Sequence, residues 1–177
     1  MTTKVENRNI KYPRIELRTG QLHFILPMNM QYHPIMDKYE DWITEKKNEI
    51  NKALKHANKI KLHSRNQQEV KNFVDKLLDD YSSEYGIVVN RIVFRNLISK
   101  WGSCSTQGNL TFNRMLSYLP DNHFKYVVFH ELMHLLERKH TPKYWSLVSK
   151  KFSDYKKIEK ELLSYWFLIN KKAGEQK

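Results

Sequence analysis

Tyr126-Val127-Val128-Phe129-His130-Glu131-Leu132-Met133-His134 is the stretch on which the reading of this chain turns. Its first half is apolar and, with Phe124 upstream, free of Gly and Pro. A buried helix is therefore predicted, beginning near Asp121 behind Pro120. On a helix, histidines four residues apart are separated by about 40° and one turn, so both rings leave one face. Their nitrogens can then converge on one ion without strain. Glu131 sits beside His130 on nearly the same face, close enough to exchange a proton but poorly aimed as a ligand.

Two imidazoles and a carboxylate in this pattern supply two ligands and a general base for a metal-activated water. Zinc accepts nitrogen ligands at about 2.0–2.1 Å, and a catalytic site keeps one coordination position open. The expectation is a hydrolase with one bound Zn2+, acting on peptide bonds. The competing reading is an ordinary helix with two histidines at its rim. Burying those polar groups without a metal would leave them in need of other partners.

Working outward, the third ligand comes next. His140 follows His134 by six residues, a spacing shared with metzincins. Those proteins have glycine three after the second histidine, where this chain has Glu137. On a continuous helix His140 would face away from the ion, so the helix must end near Glu137 or Arg138. Thr141-Pro142 supports a break there, since proline disfavours a helical residue before it and fits the first position of a new helix. Glu159 and Glu161 are the rival ligands, at the spacing used by gluzincins; His140 is favoured.

Residues 14–26 alternate around Thr19-Gly20 and read as a β-hairpin. Pro27 and Pro34 bracket a loop, and Asp37 is the expected cap of a helix to about Ala57, with Tyr39, Trp42, Ile43, Ile50 and Leu54 apolar. Val70, Phe73, Val74, Leu77, Leu78 and Tyr81 recur at helical spacing until Gly86. Residues 87–98 and 109–113 read as strands, separated by a Trp101-Gly102-Ser103-Cys104 turn. Beyond Pro142, Trp145, Val148 and Phe152 mark one helix. Ile158, Leu162, Tyr165, Trp166 and Ile169 mark a last one over about 155–169, with a frayed tail from Lys171. No linker or repeat interrupts the chain, so one α+β domain over 1–177 is expected: an N-terminal hairpin and a small antiparallel or mixed sheet packed on helices.

Several blocks together resemble a known family. They are Trp101-Gly102-Ser103-Cys104-Ser105, Gly108-Asn109-Leu110-Thr111-Phe112-Asn113, Leu119-Pro120, the segment Tyr126–His134, and His140-Thr141-Pro142-Lys143-Tyr144-Trp145. In this combination the chain is similar to the YgjP-like metallopeptidase domain, a family related to the WLM and SprT-like zinc proteases. The resemblance covers essentially the whole chain. It implies a zincin-like fold, His130, His134 and His140 as zinc ligands, and Glu131 as catalytic base. Lys139 departs from the family, which often has asparagine before the third histidine.

Zincins commonly hold extended substrates along a sheet edge beside the metal. Asn109 to Asn113 is the expected edge, with Asn109, Thr111, Asn113 and Tyr144 as candidate substrate contacts. His123, Tyr118 and Tyr144 are candidate donors to the developing oxyanion. Cys104 reads as a packed, inert thiol rather than a nucleophile, because the histidines are claimed by the metal and no oxyanion element accompanies it. His23, His33, His56 and His63 read as surface or satisfied histidines, and the tryptophans as core.

The 177 residues are enough for a substantial core, and 40% are hydrophobic, which argues against global disorder. No apolar run approaches the roughly 20 residues of a membrane span, so no membrane partner is expected. The N-terminal residues lack a secretory h-region and Cys104 has no internal partner, so a reducing, cytoplasmic location is expected. Net charge is +12, and residues 138–177 hold eleven basic against four acidic side chains. Residues 37–80 are nearly balanced, with ten against nine. A peptide or protein is the expected substrate. The alternative is a nucleic-acid-associated factor that uses the basic C-terminal part.

Overall fold

The computed structural model describes residues 3–18 and 21–175. They form six strands and six α-helices, an α+β fold as expected. The chain groups into two compact units. One comprises the residues up to Ile60 together with Trp166 onward, the other Lys61–Tyr165. The second boundary falls inside a helix, which is why no Gly- or Pro-rich linker marks it.

In the first unit, strands β1 (Thr3–Arg8), β2 (Arg14–Arg18) and β3 (Gln21–Pro27) form a mixed sheet in the order β1-β3-β2. β2 and β3 pair antiparallel, in the hairpin expected for 14–26, and its Thr19-Gly20 turn lies outside the described residues. β1, which runs parallel to β3, has no apolar alternation to announce it. β3 is central, and Leu22, His23, Phe24, Ile25 and Leu26 are all buried, as a strand covered on both faces requires. Leu22, Phe24 and Leu26 form a core with Ile43.

Two helices follow, α1 (His33–Lys38) and α2 (Glu40–Ala57). Pro34 opens α1, Asp37 lies inside it, and Tyr39 is the N-cap of α2, so Asp37 does not cap the long helix. The buried face of α2 is Ile43, Ile50, Ala53 and Ala57. Tyr39, Trp42 and Leu54 are exposed, because the stripe follows the 43–50–57 repeat and leaves them on its flanks.

The second unit begins with α3 (Gln67–Tyr85). Asn66 and Glu69 form a reciprocal capping box at its start, and Gly86 (φ 65°) closes it in the left-handed conformation that glycine adopts without a Cβ penalty. Strands β4 (Arg91–Arg95), β5 (Gly102–Cys104) and β6 (Asn109–Asn113) make a second mixed sheet in the order β4-β6-β5. β4 is shorter than the 87–98 expected because it pairs with the five-residue β6. Val88 and Ile98, beyond that pairing, are exposed. β5 occupies what was read as a turn.

A 3-10 turn (Arg114–Tyr118) leads into α4 (Asp121–Met133), followed by α5 (Pro142–Lys151) and α6 (Tyr155–Glu175). α6 continues past Lys171, where fraying was expected. α4 is buried on most of its circumference and packs against α3, α5, β5 and β6. Phe129 meets Tyr81, Tyr85 and Phe152, and Phe124 meets Phe73. This apolar casing fixes the helix that carries His130, Glu131 and His134. No helix among the described residues is long and apolar enough to cross a membrane.

Candidate metal centre

The geometry of the centre begins with where α4 stops. The α-helix ends at Met133, with His134 as C-cap, several residues before the expected end at Glu137 or Arg138. The N–H groups of Leu135, Leu136 and Glu137 fold back onto Leu132 and Met133 carbonyls at 2.9–3.0 Å, making one tight turn. The chain then reverses, and Thr141 caps α5 by accepting from the Tyr144 N–H, with Pro142 at the first helical position. Between the turn and the cap, His140 comes back over the end of α4.

His130, His134 and His140 each offer a ring nitrogen within 4.8 Å of the others. His130 Nε2 and His140 Nε2 are 3.1 Å apart. Two nitrogens bound to one tetrahedral ion at about 2.0–2.1 Å would be roughly 3.3 Å apart, so the approach fits a shared zinc-sized cation. With Nε2 turned to the centre, the outer nitrogens fix the rings. His134 Nδ1 lies 3.1 Å from the Glu137 carbonyl oxygen, and His130 Nδ1 lies 3.4 Å from the Tyr126 hydroxyl. Tyr126 in turn donates to Glu159 Oε1 at 3.0 Å. Partners of this kind orient metal-binding histidines and raise their basicity.

α5 completes the cluster from the side. The Tyr144 ring stacks on His134 (4.7 Å, 20°) and the Trp145 ring on His140 (5.2 Å, 20°). Tyr144 is fully buried and donates its hydroxyl hydrogen to the His130 carbonyl at 3.0 Å.

Burial favours the neutral form of the three histidines, the form that binds a metal. The His130 pKa is pushed down to about 3, first by burial and then by its two histidine neighbours. His134 and His140 are also lowered, chiefly by burial. Three neutral nitrogens converging on an open cleft, with the rings fixed from behind, fit a cation held by the protein at three positions.

Glu131 is 7% exposed, and burial pushes its carboxyl up to about 7, opposed by the positive Lys100 nearby. It rests against Gly102 of β5. A Cβ added at Gly102 would come within 2.6 Å of Glu131 Cγ and 2.9 Å of Oε1. The cleft is lined by Lys100, Gly102, Ser103, Cys104, Thr106 and Arg138 together with the three histidines and Glu131. The Cys104 thiol is raised by burial, in keeping with an inert role.

Other expectations are corrected. β6 is the central strand of its sheet, so Asn109, Thr111 and Asn113 are not on a free edge. The side chain of Asn113 is buried and donates to the Leu97 and Lys100 carbonyls, which shapes the loop before β5. Asn109 accepts from Asn90 in another cross-strand tie. Tyr144 serves the histidines from behind rather than lining the cleft.

The edge beside the centre is β5. Asn113 donates to Trp101 and Ser105 donates to Asn109, so the antiparallel alternation turns the backbone groups of Gly102 and Cys104 away from β6. Of the oxyanion candidates, His123 pairs with Glu161 at 2.8 Å and Tyr118 lines a separate hollow beside Arg65. Glu159, the rival ligand, stands behind Tyr126. Lys100, Gly102 and Arg138 line the cleft and Tyr126 backs His130, placements that sequence reasoning did not assign; Gly102 and Tyr126 lie within the blocks that carry the family resemblance.

No curated protein matches the chain. Among solved structures, the metallopeptidase zymogen abylysin of Pyrococcus abyssi aligns with a TM-score of 0.48 at 25% identity, over 51% of this chain and 92% of that one. The metallopeptidase zymogen jannalysin of Methanocaldococcus jannaschii aligns at 0.43 and 22% identity, over 56% and 89%. The YgjP-like, metallopeptidase domain family model matches residues 4–165, and the chain belongs to that family.

Proposed function

We propose that the protein is a zinc-dependent peptidase in which His130, His134 and His140 hold one ion and Glu131 is the general base. The observation that carries this reading is a buried carboxylate in the wall of the same cleft as three converging neutral histidines. Zinc, when bound, would supply a Lewis acid for the scissile carbonyl and acidify water at the open position.

The remaining chemistry belongs to the chain. The Glu131 carboxylate accepts a proton from the attacking water as its oxygen bonds to the carbonyl carbon. As the carbon–nitrogen bond breaks, Glu131 returns that proton to the leaving amine. A group pushed up to about 7 by its surroundings can do both near neutral pH. The outward-facing backbone groups of Gly102 and Cys104 would pair with an extended substrate, adding a strand to β5.

The test pairs metal analysis with substitution. Glu131→Gln should keep one zinc per chain and lose peptide hydrolysis, whereas His140→Ala should lose the metal. Hydrolysis at the wild-type rate by Glu131→Gln would remove the base assignment.

A further inference from the structure

The walls of the metal cleft are cationic in a way the hydrolytic chemistry does not require. Lys100 is exposed, and no ion pair or hydrogen bond of its side chain is found among the described residues. Arg138 donates Nη1 to the Ser105 carbonyl at 2.9 Å and Nη2 to the Thr106 carbonyl at 2.8 Å. Carbonyl oxygens fix the guanidinium without cancelling its charge, and its fork keeps N–H donors to spare. Among the described residues, Glu131 is the only carboxylate lining the cleft, and it is buried. The sequence bears the same bias: residues 95–120 contain three Lys or Arg and no Asp or Glu.

The placement of the two cations gives the bias a direction. Lys100 precedes β5 by two residues, and Arg138 is anchored on the two residues after Cys104. The edge strand of the cleft is therefore flanked by a cationic residue on each side. We infer that the cleft selects acidic peptides, with Asp or Glu on both sides of the bond held at the metal, read by Lys100 on one side and Arg138 on the other. This inference rests on the peptidase reading of the same site. Arg138 is the stronger reader, because its fixed planar fork matches a carboxylate. Lys100 acts as a point charge.

Binding tests the inference without turnover. Zinc-loaded Glu131→Gln protein is titrated into two labelled octapeptides, one with Asp on both sides of the central bond and one with Asn at those positions. Fluorescence anisotropy should show the Asp peptide binding tighter, on the order of ten-fold, with the preference shrinking at high salt. Lys100→Gln in that background should lose part of the preference, and Lys100→Glu should reverse it at that end. Arg138→Gln removes the other part; should it also loosen the 105–106 loop, the Lys100 variants still decide the matter. Equal binding of the two peptides, or a preference that survives Lys100→Glu unchanged, overturns the inference. So does tighter, Lys100-dependent binding of an oligothymidylate, which would mean a site for general polyanions. If the Asp peptide is preferred but wild-type enzyme never cleaves it, the charge selection stands and the peptidase reading falls.

Discussion

Gly102 leaves room for Glu131: a single methyl group on its α-carbon would come within 2.6 Å of Glu131 Cγ and within 2.9 Å of the carboxylate carbon. The residue is glycine because the strand passes directly over the Glu131 side chain, and its backbone conformation is unexceptional. Gly102→Ala should therefore push the carboxylate out of its position. Overpacking of this kind costs about 1–3 kcal/mol of stability. Displacing a catalytic group by about 1 Å lowers turnover by on the order of a hundred-fold. Zinc content should stay at the wild-type level. A double-mutant cycle with Glu131→Ala isolates the contact, since the stability cost should largely vanish once the carboxylate is gone.

The candidate metal site was legible in sequence because its pieces are local. His130, Glu131 and His134 share one helix, and Thr141-Pro142 marks the break that returns His140. What stayed hidden depends on contacts between distant segments. β1 is polar and exposed along most of its length and is held by backbone pairing to β3, so no side-chain pattern reveals it. Asn109–Asn113 looks like an edge until β4 and β5 take both of its sides. Glu159 has the spacing of a ligand, yet its partner is the Tyr126 hydroxyl. Lys100 and Arg138, 38 residues apart in sequence, come together only in the lining of one cleft.

The Glu159–Tyr126–His130 chain should tune metal affinity from behind. Tyr126→Phe removes the hydroxyl oxygen that accepts from His130 Nδ1 and keeps the ring packed against Phe152. Loss of such an orienting partner typically weakens zinc by about 10–100-fold. Competition with a chromogenic chelator measures the change. Glu159→Gln, which preserves the geometry and lowers acceptor strength, should fall between wild type and Tyr126→Phe. Wild-type affinity in both variants would reduce the chain to packing.

Trp145 should matter through His140, the most exposed of the three histidines. Its ring stacks on His140 on one side and on Tyr155 on the other, so it holds the ligand that no helix supports. Trp145→Ala should weaken zinc binding, roughly ten-fold, and Trp145→Phe should restore most of it because a stacked ring remains. Equal zinc affinity for the alanine and phenylalanine variants would show that stacking does not position His140.

His123 carries a pH dependence separate from the metal. It is 8% exposed, donates from Nε2 to Glu161, and its Nδ1 is buried without a partner among the described residues. Protonation would place an N–H at that unpartnered position, and burial lowers its pKa from the ordinary value despite the opposing pull of Glu161. Between the lowered folded value and about 6.5 the unfolded chain therefore binds more protons than the folded one. The associated stability is complete above about 6.5 and drains away as the pH falls through that window. Urea midpoints of metal-free protein at pH 7.5, 6.0 and 5.0 should fall more steeply for wild type than for His123→Gln, which cannot titrate. Other groups contribute equally to both proteins, so the difference belongs to His123. Parallel midpoints across the three pH values would mean that this histidine titrates alike in the folded and unfolded chain.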